Sequence, residues 1–118
     1  MSRNQIFIHL KNIQEAAISA CHFIEGMTFD NFLDDERTQK AVSMNFVIIG
    51  ENANKICEKF SDFIPEKLDL PWMEIRGLRN RIVHAYPSIN WNYVWLTIQK
   101  DLPALIDAIA SYLNNNSE

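Results

Sequence analysis

The sequence predicts an all-α fold, a mostly antiparallel bundle of four long helices with short additional helical turns. Two observations carry this. Apolar residues recur at intervals of three and four in four stretches, the spacing of one helix face. Between those stretches stand Gly26, Pro71 and Pro87, residues that stop or turn a helix. The 118 residues suffice for one domain with a real core, expected over residues 1–118.

In the first stretch Ile6, Leu10, Ile13, Ala17, Ala20 and Ile24 share a face. A helix is expected from about residue 4 to 25, with Gly26 as its stop. Thr28 can cap a short turn through Leu33, whose Phe29 and Phe32 would plug the end of the bundle. Asp34 or Asp35 can begin the next helix, since an acidic residue suits its positive end. Val42, Phe46, Ile49, Ala53, Ile56 and Phe60 keep its register. Gly50 interrupts that run at a cost of about 1 kcal/mol relative to alanine, and close approach of another helix would explain it.

Residues from Ser61 to Pro71 read as a loop. Pro71 suits the first turn of a helix running to about His84, with Trp72, Ile75, Leu78, Ile82 and Val83 offering a core face and Gly77 permitting close packing. Pro87 ends it. Ser88 or Asn90 can cap the last helix, whose stripe is Trp91, Val94, Trp95, Ile98, Leu102, Leu105, Ile109 and Leu113. Pro103 should kink that helix, and the polar tail from about residue 114 should fray.

Composition excludes several function classes. Apolar residues make up 47% and charged residues 22%, ordinary for a soluble globular chain. There is no cationic segment followed by an apolar run at the N-terminus and no stretch apolar enough to span a bilayer. A cytoplasmic protein without membrane contact is expected. Cys21 and Cys57 sit in apolar helical patterns and read as reduced core thiols. With His9 and His22 they show no zinc-ligand spacing, so neither a metal nor a cofactor is expected. The net charge of −4 argues against a broad electrostatic nucleic-acid binder.

The chemistry gathers between Arg76 and Tyr86, where three arginines, a histidine and a tyrosine form the densest polar cluster of the chain. Arg76, Arg79 and Arg81 fall within roughly one and a half helical turns. They could bind a few phosphates, or pair with acidic neighbours. Arg79 can hold a phosphate by its bidentate fork, and His84 can move protons near neutral pH. Together they suit cleavage of RNA, whose 2′-hydroxyl is an internal nucleophile. On an ideal helix residues five apart diverge by about 140°, so Arg79 and His84 would point apart. Either the helix unwinds near His84, or two copies of the motif meet across a dimer.

The pattern Arg79-x4-His84-x-Tyr86, with the stretches Leu70 to Gly77 and Asn90 to Trp95 on either side, resembles the HepT-like toxins of the HEPN superfamily. So do Gly26 to Leu33 and Ile48 to Lys55, and the four blocks occur in the family's order across nearly the whole chain. The resemblance implies an HEPN-like helical fold and a metal-independent ribonuclease acting as a homodimer with a composite cleft. It also implies a minimal nucleotidyltransferase antitoxin that silences the toxin by adding AMP to the motif tyrosine, here Tyr86. Pro87 departs from the family, where an aromatic residue is common, and leaves Arg79, His84 and Tyr86 intact.

On this reading Arg79 is the transition-state clamp and His84 the general acid or base. Asn80 can bond a phosphate or its own backbone, while Arg76 and Arg81 steer substrate or pair with acidic groups. Glu51 lies in an apolar stretch and either holds Arg79, orients His84, sits half-exposed or forms a structural ion pair. Tyr86 is core filler, a stacking platform for a base or the site of modification. The alternative functions are a non-catalytic HEPN module that binds a nucleotidyltransferase, nucleotide or nucleic acid, and a chain that its partner treats chiefly as a substrate for nucleotide transfer.

Overall fold

The computed structural model describes residues 3–60 and 68–116, which form six α-helices and no strand among the described residues. Helix α1 spans Arg3–Phe23, α2 Phe29–Leu33, α3 Glu36–Lys59, α4 Trp72–Val83, α5 Trp91–Leu96 and α6 Leu102–Asn115. A π-helical turn, Thr97–Asp101, joins α5 to α6 in one continuous run. Helix α3 packs on both α1 and α4, and α1 also packs on α6. No helix among the described residues is long and apolar enough to cross a membrane.

The stripes read from periodicity are the core. In α1, Leu10, Ile13, Ala17 and Ala20 are buried, and in α3 Val42, Phe46, Ile49, Ala53 and Ile56 are fully so. Phe32 closes one end, packed edge-on against Trp91 and tilted against Trp95, with Phe29 beside Trp95. Val83 is the exception, being exposed. It lies about 100° round the helix from buried Ile82, on the exposed side of α4.

Local chemistry sets the boundaries. Gly26 takes the left-handed conformation (φ 78°) after α1. Thr28 and Asn31 form a reciprocal capping box at α2. Asp35, rather than Asp34, caps α3, accepting from the Thr38 backbone and hydroxyl, and those bonds hold its carboxyl below the usual range. Asn90, rather than Ser88, caps α5 by accepting from the Tyr93 N–H. The loop expected from Ser61 to Pro71 falls outside the described residues over 61–67, and Leu68 to Pro71 is non-helical.

The irregularity expected at Pro103 takes the form of a widened turn ahead of it, where the Leu102 N–H bonds the Thr97 carbonyl five residues back. Helix α6 runs to Asn115, and Asn116 bonds the Tyr112 carbonyl through both its backbone N–H and its side-chain amide.

The two helical glycines differ. A Cβ on Gly50 would lie 2.7 Å from both the backbone nitrogen and Cβ of Arg79 and 3.2 Å from the Arg76 carbonyl. Gly50 is therefore where α4 meets α3 backbone to backbone, the close approach that its mid-helix position implied. A Cβ on Gly77 would meet nothing within 4 Å, so Gly77 does not serve close packing. Gly50→Ala should lower stability by about 1–3 kcal/mol, as overpacking does. Gly77→Ala should hold or raise it by up to about 1 kcal/mol, through helix propensity. Urea unfolding of both variants beside the wild type tests the pair; equal effects would refute the distinction.

Candidate active site

The close approach at Gly50 fixes the base of the Arg79 side chain against α3. One residue further along α3, the Glu51 carboxylate meets the Arg79 guanidinium at 2.7 Å through Nε. Glu51 is thus a half-exposed partner of Arg79 and makes no hydrogen bond or ion pair with His84 among the described residues. Asn80 accepts from the Arg79 Nη1 at 3.2 Å. Nε and one Nη1 hydrogen are engaged, and the Nη2 edge remains for an anion. The side chains of Arg79 and Glu51 are 35% and 47% exposed, which limits the pair to about 0–1 kcal/mol. A hydrogen bond to a charged group contributes about 1.5–3 kcal/mol, so a bidentate phosphate can displace Glu51.

The three arginines take different neighbours. Arg76 donates from Nε to the Asn54 side-chain oxygen at 2.7 Å. It lies one helical turn before Arg79 on the edge of α4 that faces α3. Arg81 turns the other way and places its guanidinium 4.1 Å from the centre of the Tyr93 ring on α5. The cluster thus divides, with Arg79 and Arg76 on the side of α3 and Arg81 apart from them beside Tyr93.

His84 follows the last residue of α4 in helical geometry (φ −85°, ψ −17°), and its N–H bonds the Asn80 carbonyl. The Tyr86 N–H bonds the Ile82 carbonyl in the same i to i−4 pattern. Helix α4 ends at Val83 and residues 84–87 form a turn, but His84 itself keeps helical backbone angles. Arg79 and Tyr86 stay on one side of α4, while His84 projects about 140° away from Arg79. The His84 ring is exposed and makes no hydrogen bond among the described residues, whereas the Tyr86 side chain is 65% exposed beside the first half of α3.

The remaining candidates are structural. His9 bonds the Asn52 side-chain oxygen through Nδ1 at 2.9 Å, and Asn12 reaches the same oxygen. His22 is exposed near Glu25. Cys21 and Cys57 are unpaired and half-buried, and burial pushes both thiols up, for Cys57 against the pull of the Arg76 guanidinium. Among the described residues no three His, Cys, Asp or Glu side chains are grouped to hold a metal ion. An apolar cavity of about 320 Å3 between α4 and α6, with Glu74 and Asp101 at its wall, shares no residue with the Arg79 to Tyr86 cluster.

Sequence reasoning missed Asn54 and Tyr93 as partners of the arginines. A signal existed for the first, since Gly50 and Asn54 stand one helical turn apart, so a chain that touches Gly50 also passes Asn54.

The chain matches the family "Ribonuclease HepT-like" over residues 13–112. It belongs to the HepT-like ribonuclease family. Similar HepT-like relatives include a probable ribonuclease HepT of Thermococcus cleftensis, 34% identical over 82% of this chain and 86% of that protein. A candidate RNase of Methanocaldococcus jannaschii is 31% identical over 98% of this chain and 93% of its own. Another, of Caldanaerobacter subterraneus, is 30% identical over 77% and 82% respectively. No solved structure gives a significant match.

For this HepT-like chain, Glu51→Gln should change stability by no more than about 1 kcal/mol. It should raise the affinity for a short single-stranded RNA, measured by fluorescence anisotropy in the His84→Ala background, because Arg79 is released. Weaker binding would instead assign Glu51 the role of aiming Arg79.

Proposed function

We propose that this HepT-like ribonuclease is the toxin of a toxin–antitoxin pair, cutting RNA in the cytoplasm without a metal at a cleft completed by a second copy of the chain. A minimal nucleotidyltransferase antitoxin silences it by adding AMP to Tyr86. The observation that carries the composite cleft is the helical backbone of His84 at the cap of α4. With Arg79 and His84 on diverging faces of one helix, a second protomer is the simplest source of the missing group. A two-fold axis supplies it twice, since an isologous contact brings each segment to its copy.

In the proposed reaction the 2′-oxygen attacks the adjacent phosphorus and loses its proton to His84 or to the copy's histidine. The bond from phosphorus to the 5′-oxygen breaks, and the leaving oxygen takes a proton. The products are a 2′,3′-cyclic phosphate and a 5′-hydroxyl. Arg79 leaves Glu51 for the pentacoordinate phosphorus, where charge builds. Asn80 keeps the guanidinium aimed, and Arg76 adds positive charge one turn away. AMP on Tyr86 would bring phosphate to the same side of α4 as Arg79, occupying the cation and repelling RNA.

Purified, unmodified protein should cleave single-stranded RNA in excess chelator and leave a 2′,3′-cyclic phosphate. His84→Ala and Arg79→Ala should each lose at least about a hundredfold in rate, the low end for a general acid–base or for charge stabilisation. A 2′-deoxy substitution at the cleaved position should block the reaction. Chelator-sensitive cleavage or a 5′-phosphate product would contradict the mechanism. No cleavage by protein of unmodified mass would favour the non-catalytic binding module.

A further inference from the structure

Beside Tyr86, the first half of α3 and the turn after α4 enclose a nook of about 420 Å3. Its walls are largely apolar, with Met44 and Val47 from α3 and Trp91 from α5. Met44 is 60% exposed and stands next to the exposed Tyr86 in this lining. Lys40 stands at the rim, held only by an exposed contact of 3.9 Å to Glu36. Ser43 lines the nook too, and its hydroxyl is buried without a hydrogen-bond partner, the one such side-chain group among the described residues. Buried polar atoms are normally paired with protein, water or a ligand, and this hydroxyl is open to the cavity for such a partner.

We propose that this nook is a base-binding subsite that takes one unstacked nucleobase of the RNA substrate, beside the phosphate held at Arg79. The proposal rests on the ribonuclease reading above. The volume lies in the range of small-molecule pockets, about 300–1,000 Å3, and a mostly apolar wall with a few polar groups is their usual lining. An RNA single strand is read by splaying a base onto an aromatic face and bonding its edge. The exposed Tyr86 ring supplies the face, with Met44 as a soft, adaptable contact. The Ser43 hydroxyl both donates and accepts, so it can meet either kind of group on a base edge. Lys40 carries the charge that the adjoining phosphate needs, and its wet contact with Glu36 is too weak to withhold it. Arg79 and Tyr86 lie about 10 Å apart along one side of the helix, a span that a few linked nucleotides cover.

An abasic scan tests this. Single-stranded RNAs spanning the wild-type cleavage position, each lacking one base, are titrated against His84→Ala protein. The same titrations use that protein carrying Met44→Asp or Ser43→Ala as well. Removing the base that enters the nook should weaken binding roughly tenfold when the nook is intact. Both nook variants should bind the complete RNA more weakly yet lose little further at that one abasic position. Ser43→Ala removes only an unpartnered hydroxyl, so folding is preserved and the coupling alone is read. Losses that are absent, or identical at every abasic position, would overturn the subsite while the ribonuclease reading stands. No cleavage of any RNA by the unmodified wild type would overturn that reading and the subsite with it.

Discussion

The backbone contact between α3 and α4 at Gly50 is the constraint on which the candidate site depends. It sets Arg79 directly over α3, with no side chain between. Every polar partner follows from that register. Glu51 is one residue on and meets the Arg79 guanidinium; Asn54 is one turn on and meets Arg76. The same register leaves Tyr86 opposite Met44 and Val47, where the apolar nook opens. A glycine weakens α3 locally by about 1 kcal/mol, while α4 buries Ile75, Leu78 and Ile82 in the core.

Helix continuity is the second constraint, and it acts against a self-contained site. The helical backbone that α4 keeps through its cap at His84 places Arg79 and His84 on different faces of α4. One protomer thus presents a phosphate clamp on the side facing α3 and a solvent-exposed imidazole elsewhere. In the proposed dimer each half-site completes the other. The weak, half-exposed ion pair with Glu51 leaves Arg79 able to exchange to a phosphate.

Most of the fold was legible because burial follows helical period. The residues named for α1 and α3 are buried, and the place where a second helix would crowd α3 was marked by Gly50 itself. Gly77 invited the same inference and has open space, because a glycine signals permission rather than contact. Val83 was grouped with Ile82 from hydrophobicity, yet it lies on the exposed side of α4. The residues of the candidate site were visible as types, but their partners were not. Whether Arg81 meets a carboxylate or the Tyr93 ring depends on how helices are offset, which periodicity within one helix does not encode. The nook beside Tyr86 was invisible for the same reason, since it joins α3 to a turn more than thirty residues away.

Trans-complementation tests the composite cleft most directly. Arg79→Ala and His84→Ala proteins, each inactive alone, are mixed after mild unfolding and refolding so that mixed dimers form, and RNA cleavage is measured. If arginine and histidine act together from opposite protomers, a mixed dimer carries one intact pair, and the mixture should recover a substantial fraction of wild-type activity. If each protomer works alone, every site in the mixture lacks one group, and a mixture as inactive as its components would contradict the shared cleft.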